Sequence, residues 1–255
     1  MRLSLGRSAL VAAAVCAAVA TGVVLSPPAG PAIAQTAEFG QTSTVGALFT
    51  LTPSGQLGTH FCTASVVDSP RGDLILTAAH CMANRQERQV AFVPDYDQGQ
   101  APFGIWTVRD VITDANWVSA SDPDDDYAFL IVHRAGSKTP LQSLTGGEVV
   151  GVDIPAGRVV KVAGYPDGTD ALISCQNTAE AFSPTQYQFD CGGFTDGTSG
   201  SPLLADVGPL PGADTVIGVI GGYEQGGDTD SVSYAARFST RLSQLYQTAL
   251  AAARR

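Results

Sequence analysis

The chain is poor in positive charge: it has 14 Lys and Arg residues against 24 Asp and Glu residues, and its formal net charge is −10. Nucleic acids and anionic membranes attract proteins through clustered cationic side chains, so this balance argues against both as partners. A surplus of acidic residues is ordinary in a protein that stays soluble outside the cell.

The sequence also lacks internal repeats, coiled-coil heptads and glycine-rich phosphate loops. It has three histidines and five cysteines, and their spacings do not match a zinc site. No long apolar run follows the first 25 residues, so no later segment could cross a bilayer as a helix. We therefore expect no metal and no cofactor.

The N-terminus, residues 1–34, is typical of a secretory signal peptide. Arg2 and Arg7 precede a stretch rich in Ala, Val and Leu, and Ala32-Ile33-Ala34 has the small-x-small pattern of a cleavage site. Cleavage after Ala34 would release a secreted chain with no membrane attachment. An uncleaved anchor is the alternative, and the shortness of the apolar run disfavours it.

Short runs rich in Val, Ile, Phe and Thr, separated by turn residues, predict an all-β protein. The runs are Val45–Leu51, Cys62–Val67, Leu74–Thr77, Val90–Val93, Ile105–Ile112, Tyr127–His133, Val159–Ala163, Ala171–Cys175, Gln186–Asp190, Ser201–Leu204, Val216–Ile220 and Val232–Phe238. Strongly amphipathic helices are lacking through the middle of the sequence, so alternating strands and helices are poorly supported.

A polar stretch, Arg134–Gly147, has the composition of a linker between two halves. One helix is predicted at the C-terminus, with Ser239 or Thr240 as its N-cap. Its apolar positions follow the i, i+3, i+4, i+7 pattern: Leu242, Leu245, Tyr246 and Ala249. We expect this apolar face to dock on the second half.

Four cysteines remain once Cys16 leaves with the signal peptide, and an even number in an exported chain indicates two disulfides. Three pairings are possible. Cys62–Cys81 and Cys175–Cys191 are favoured because each pair is close in sequence and lies within one half of the chain.

His80 is a candidate general base, in the segment Thr77-Ala78-Ala79-His80-Cys81 that follows an apolar strand. Neutral imidazole can take a hydroxyl proton near neutral pH and return it to a leaving amine. A packed histidine without a chemical role is the alternative. His60 and His133 lack such a setting, and we interpret both as structural.

Asp126 is a candidate partner for this histidine, at the end of the acidic segment Asp122–Asp126. Most of that segment resembles a solvated loop, but Asp126 adjoins the apolar strand Tyr127–Val132 and can turn inward. A buried carboxylate would hold the base in the required tautomer. Asp125 is the next choice, since motif edges are easily misread by one residue.

Ser199 is a candidate nucleophile, in the small-residue turn Asp196-Gly197-Thr198-Ser199-Gly200-Ser201-Pro202. Gly197 and Ser199 would supply the N–H donors of an oxyanion hole. Turns of this composition are more often ordinary loops, so the weight of the assignment comes from the two other segments.

In the order His, Asp, Ser, the three segments resemble the chymotrypsin-like (trypsin superfamily) serine peptidases. The nucleophile motif Gly197–Pro202 is similar to the Gly-x-Ser-Gly-Ser-Pro form of bacterial glutamyl endopeptidases and related secreted peptidases. The resemblance implies two six-stranded antiparallel β-barrels with a C-terminal helix. We place an N-terminal arm at 35–44, the first barrel at 45–135 and the second barrel, with its helix, at 136–255.

Three departures from the family pattern concern the substrate pocket, for which Gly193, Gly221 and Gly222 are the expected binding residues. Gly221 and Gly222 replace the usual Ser-Trp pair, whose serine would support the aspartate. Gly193 replaces the acidic residue of trypsins, and Ile220 stands where glutamyl endopeptidases place a histidine. We expect an open pocket for apolar or mixed side chains. Acidic substitutes could come from the following loop: Glu224, Asp228 and Asp230.

The predicted function is a secreted, monomeric serine endopeptidase that hydrolyses proteins or peptides through an acyl-enzyme on Ser199. A catalytically silent binding protein on the same fold is the alternative. An esterase of the α/β-hydrolase type is disfavoured because its Gly-x-Ser-x-Gly elbow is absent around Ser199. Thr198 replaces the aspartate that binds a new N-terminus in the digestive members, so we expect no activation cleavage.

Overall fold

The computed structural model describes residues 34–35, 37–38, 43–205 and 214–255. The predicted signal peptide, apart from Ala34, lies outside these residues. Among them, no helix is long and apolar enough to cross a membrane.

The described residues form mostly β-structure, and their strands are β1 (Ala34–Gln35), β2 (Ala37–Glu38), β3 (Val45–Leu51), β4 (Leu57–Val66), β5 (Leu74–Thr77), β6 (Val90–Pro94), β7 (Trp106–Thr113), β8 (Ala128–His133), β9 (Val149–Val150), β10 (Arg158–Gly164), β11 (Ile173–Ala181), β12 (Gln186–Gly192), β13 (Pro202–Ala205), β14 (Thr215–Val219) and β15 (Val232–Ala236). The α-helices are α1 (Ala115–Ala120), α2 (Gln142–Thr145) and α3 (Thr240–Ala253). Short 3₁₀ helices lie at His80–Met82, Glu87–Gln89, Pro123–Asp125 and Tyr223–Gly226.

The first half closes into a barrel with strand order β3-β4-β5-β8-β7-β6, in which β6 returns to pair with β3. Branched and aromatic residues fill its strands, as β propensity requires. β5 reads Leu-Ile-Leu-Thr and all four of its residues are buried, as are Phe129 and Ile131 of the adjacent β8. These two fully packed strands form a rigid base for the residues at their ends.

The second half forms a curled nine-stranded sheet, in the order β1-β12-β11-β10-β13-β14-β9, with β15 beside β12 and β2 beside β11. Its pairs are antiparallel except for β1 with β12 and β9 with β14. The closed barrel, the curled half-barrel sheet and the C-terminal helix match the chymotrypsin fold, which confirms the predicted fold class. The short strands β1, β2 and β9 extend this sheet beyond the six strands expected.

Each half contains one disulfide. Cys62 of β4 is bonded to Cys81, and Cys175 of β11 is bonded to Cys191 of β12. These are the two pairs that the sequence favours.

The expected docking of α3 on the second half is wrong, because its apolar face packs on the first barrel. Leu242 and Ala249 are fully buried in the core that includes β5 and β8, and the Tyr246 ring lies 5.4 Å from that of Phe129. The chain turns back towards the first barrel after β15, where Phe238 packs edge-on against Tyr127 at 5.8 Å. The helix therefore links the second half, from which it extends, to the first barrel, on which it packs.

Glu148 is a buried acid where the two halves meet. Its N–H donates to the Val66 carbonyl at 2.8 Å, and its carboxylate accepts from the Thr44 hydroxyl. The second carboxylate oxygen, Oε2, is buried and has no hydrogen-bond partner among the described residues. Burial raises the pKa of Glu148 to about 7, opposed by the Thr44 hydrogen bond and the charge of Lys161 and helped by the charge of Asp214.

A raised pKa in the folded state means that ionising Glu148 opposes folding. Its neutral form is bound more tightly by the folded chain, so stability is lost as pH rises from about 4.5 through 7. We expect Glu148→Gln to raise the melting temperature relative to the native chain at pH 8 and to have little effect at pH 5. At pH 8 the free energy of unfolding should be higher in the variant by about 3 kcal/mol.

Thermal unfolding at both pH values, with the exposed Glu180→Gln as the matched control, measures this. A Glu148→Gln effect that does not change between pH 5 and pH 8 would contradict it.

Candidate active site

His80 begins a 3₁₀ turn, and the two buried residues Ala78 and Ala79 separate it from the end of β5. The next residue, Cys81, is held to β4 by its disulfide with Cys62. The packed strand on one side and the disulfide on the other fix the backbone of the histidine. Only 14% of its side chain is exposed.

Asp126 is fully buried and accepts three hydrogen bonds from N–H groups. Its Oδ1 accepts from the His80 backbone at 2.8 Å, and its Oδ2 lies 2.7 Å from His80 Nδ1 and accepts from the Gly222 backbone at 2.9 Å. Because a carboxylate can only accept, Nδ1 carries the proton in this pair. Nε2 of the neutral ring is then free to accept a proton.

Gly222 supports Asp126 in place of the serine that the sequence lacks. It has φ +81°, and a Cβ at this position would lie 2.4 Å from Gln186 Oε1. A Cβ at Gly221 would lie 3.0 Å from Asp126 Oδ2, so the backbone passes close to the carboxylate. Asp126 therefore receives a hydrogen bond from the second half although the serine is missing.

Asp125 is also buried, and it contacts a different set of residues. It accepts from the Tyr127 hydroxyl at 2.7 Å and from Asn116 Nδ2 at 2.9 Å, and Arg241 of α3 lies 3.4 Å away. Burial raises the pKa of Asp125, against the Tyr127 hydrogen bond. Of the two neighbouring aspartates, Asp126 is the one that contacts the histidine.

The turn that carries Ser199 is held by its own hydrogen bonds and by the first barrel. Thr198 donates through its hydroxyl to the Thr195 carbonyl at 2.6 Å, and Thr63 of β4 donates its N–H to the Ser199 carbonyl at 2.7 Å. Gly200 has φ +84°, and a Cβ there would lie only 2.1 Å from the Thr63 carbonyl oxygen. A glycine is required where the turn meets β4 this closely.

The N–H groups of Gly197 and Ser199 have no protein acceptor within the described residues. Their neighbours Thr198, Gly200 and Ser201 donate to the carbonyls of Thr195, Ile220 and Thr198 respectively. The two expected oxyanion donors are thus available to a ligand. The local bonding of Thr198 is in keeping with a turn that forms without a new N-terminus.

His80 and Ser199 line the same cleft, of about 650 Å³, together with Gly197 and the Cys62–Cys81 disulfide. The base candidate is supplied by the first barrel and the nucleophile candidate by the second half.

Because Cys62 and Cys81 are disulfide-bonded, their sulfurs are not the thiolates that would hold a metal beside His80. The expected structural histidine His60 has its Nε2 2.9 Å from the Thr169 carbonyl oxygen.

A second pocket of about 520 Å³ opens beside Ser199. Phe194 and Ile220 form part of its wall, whereas Gly193, Gly221 and Gly222 are not among its lining residues. Four aspartates line it: Asp167, Asp196, Asp228 and Asp230. No Lys or Arg lies among its lining residues in the part of the chain that the structure describes.

The sequence pointed to Asp228 and Asp230 as possible acidic substitutes but gave no sign of Asp167. That residue follows β10 and reaches the site because its N–H donates to the Asp196 carbonyl at 2.6 Å. This hydrogen bond joins the segment after β10 to the turn that carries Ser199. Asp167 and Asp196 are 29 residues apart in the sequence, and only the fold brings them together.

Comparison with protein families matches residues 58–212 to the trypsin-like peptidase domain. The chain belongs to this family. No curated protein matches the sequence.

Solved structures agree on the fold. A protease named Anisep from Arthrobacter nicotinovorans has a TM-score of 0.70 and 24% identity, over 85% of this chain and 99% of that one. The thermostable serine protease AL20, from an extremophilic microorganism, has a TM-score of 0.68 and 24% identity, over 82% and 98%. A Glu endopeptidase has a TM-score of 0.65 and 14% identity, over 85% and 96%.

The adjacent aspartates of this trypsin-like peptidase provide a matched pair of variants. Asp126→Asn should keep the fold and lower kcat by about 10⁴-fold, because the amide reverses the tautomer of His80. Asp125→Asn should leave kcat within a few-fold and lower the melting temperature, because an amide has one acceptor oxygen whereas Asp125 accepts from both Tyr127 and Asn116. Turnover of a fluorogenic peptide and thermal unfolding of both variants decide the matter, and the reverse pattern would assign the role to Asp125.

Proposed function

We propose that this chain is a secreted serine endopeptidase, with Ser199 as the nucleophile, His80 as the general base and Asp126 as the residue that orients the base. The observation that carries the proposal is that His80, hydrogen-bonded to the buried Asp126, lines one cleft with Ser199, and that the N–H groups of Gly197 and Ser199 are free. Membership of the trypsin-like peptidase family supports the same chemistry.

In the proposed reaction, Ser199 Oγ attacks the carbonyl carbon of the scissile peptide and its proton passes to His80 Nε2. The carbonyl oxygen gains the negative charge and accepts from the N–H groups of Gly197 and Ser199. Collapse breaks the C–N bond, and the imidazolium returns its proton to the leaving amine. Water then attacks the acyl-enzyme in the same manner and frees the serine.

Secretion is part of the proposal and is supported by the N-terminal signal pattern and by the two disulfides, which form and persist in oxidising compartments. We propose that the secreted chain is a monomer with residues 45–135 and 136–255 as the halves of one peptidase domain.

Ser199→Ala tests the nucleophile directly. We expect turnover to fall by about 10⁶-fold while the melting temperature is kept, because only the attacking oxygen is removed. A fluorophosphonate probe should label the native chain and not the variant. A native chain that neither reacts with the probe nor cleaves peptides would instead support a silent binding protein on this fold.

The acidic pocket beside Ser199 favours substrates with a basic side chain at the residue before the cleaved bond. This replaces the sequence-based preference for apolar or mixed side chains, since four carboxylates attract a cation and repel a glutamate. Asp228 also lines the catalytic cleft, so its charge acts on both spaces. Asp228 lies on a different segment from Gly193, which holds the position of the pocket acid in trypsins.

Asp228→Asn with Asp230→Asn should lower kcat/KM for substrates with Arg or Lys at that position by about 10- to 100-fold, the range for losing charge-assisted hydrogen bonds. Matched peptides with Leu should change little. The exposed Asp153→Asn serves as the control. An equal loss on the Arg and Leu peptides would overturn the charge-based preference while leaving the peptidase assignment intact.

A further inference from the structure

A second charged pocket lies at the end of the first barrel opposite the catalytic cleft. β5 runs from Leu74 to Thr77 and leads into His80, whereas β8 follows Asp126 and ends at His133. The two strands are antiparallel neighbours. Residues just before β5 and just after β8 therefore lie at the far end of the barrel from the cleft.

This pocket has a volume of about 600 Å³, and four of its twelve lining residues are Arg or Lys. Its ionisable residues are Arg71, Arg109, Arg134, Lys138, His133 and a single acid, Asp73. The sequence has 14 Lys and Arg residues, of which Arg2 and Arg7 belong to the predicted signal, so 12 remain and four of them line this one pocket. Such a concentration stands out on a chain with a net charge of −10.

The walls of the pocket are held by backbone hydrogen bonds. The Gln142 N–H donates to the Gly72 carbonyl at 2.9 Å, and the Val132 N–H donates to the Asp73 carbonyl at 2.9 Å. These bonds fix the loop before β5 both to β8 and to the linker after β8. The pocket is therefore part of the folded framework.

Arg134 is held in place before any ligand binds. Its Nη1 donates to the Phe103 carbonyl at 3.0 Å and its Nη2 to Ser137 Oγ at 3.2 Å, while the guanidinium lies 5.1 Å from the ring of the buried Trp106. A Cβ at Gly104 would lie 2.8 Å from Nη1, so a glycine makes room for this side chain. A guanidinium fixed in this way loses little freedom when it binds an anion.

Not all of the positive charge is already matched. Arg109 donates to Asp110 at 2.7 Å. Arg71 and Arg109 both act on Asp73, the one acid in the pocket, and oppose the effect of burial, which raises the pKa of that carboxyl. Within the described residues, Lys138 makes no hydrogen bond or ion pair, and Arg71 interacts with Asp73 through its charge without a hydrogen bond. The pocket keeps a surplus of positive charge.

We propose that this pocket binds a multivalent oxyanion of the phosphate or sulfate type. Guanidinium groups match such anions because their paired N–H groups bind two oxygens at once. The volume exceeds that of one phosphate group, so a short chain of linked phosphates fits the spread of cations better than a single ion. The site has no part in peptide cleavage, and it stands or falls separately from the proposed function.

Calorimetric titration of the native chain with tripolyphosphate and with inorganic phosphate, at constant ionic strength set with sodium chloride, tests the proposal. We expect saturable binding of tripolyphosphate. The double variant of Arg71→Gln and Lys138→Gln should weaken it by at least tenfold. Tighter binding of tripolyphosphate than of phosphate would identify linked phosphates as the ligand, and the reverse order would identify the free ion.

The matched control replaces the exposed C-terminal cations, Arg254→Gln with Arg255→Gln, and should leave the affinity unchanged. Thermal unfolding of all variants confirms that each one folds. The proposal is overturned if the native chain does not bind tripolyphosphate beyond the effect of chloride, or if both double variants lose affinity equally.

Discussion

The buried carboxylate of Asp126 is the interaction on which the arrangement of the cleft depends. It is fully enclosed, and a buried charge without donors would cost several kcal/mol. Two of its three donors belong to His80 on the first barrel, and the third belongs to Gly222 on the second half. One charge therefore orients the imidazole and also joins the two halves at the cleft. The absence of the usual Ser-Trp pair is tolerated because a backbone N–H meets the same need.

The other side of the cleft depends on close backbone packing. Thr63 lies next to the disulfide-bonded Cys62, donates its N–H to the Ser199 carbonyl and donates its hydroxyl to the Gly197 carbonyl at 3.1 Å. Its own carbonyl accepts from the Thr77 hydroxyl at 2.7 Å, at the end of β5 that leads to His80. One threonine thus connects the nucleophile turn to the strand that carries the base. Position 200 must be glycine for the turn to approach this closely.

Most of the fold could be predicted from the sequence because local patterns determine it. β3 and β5 have the predicted bounds, and Ser239 caps α3 as expected, its side chain accepting from the Arg241 N–H. Docking of α3 could not be predicted, since an apolar stripe does not say which surface it meets. Two further elements could not be predicted because they are too short to show a period: α2, inside the predicted linker, and β9, just after it. Spacing alone could not separate Asp125 from Asp126, because the choice depends on which side chain reaches His80.

The cationic pocket adjoins one end of the antiparallel pair β5 and β8, whereas the acids of the pocket beside Ser199 all come from the second half. The two strands lead to His80 and Asp126 at one end and adjoin Asp73 and His133 at the other, so the cleft that His80 shares with Ser199 and the cationic pocket lie at opposite ends of the pair. A cationic substrate is attracted to the cleft and repelled by the far pocket, and an anion experiences the opposite forces, so the two ligands do not compete. The strands between them are buried except at His133 and are close-packed, so they resist the shifts that would transmit a signal. An oxyanion bound at the far end would therefore leave the geometry of the cleft unchanged.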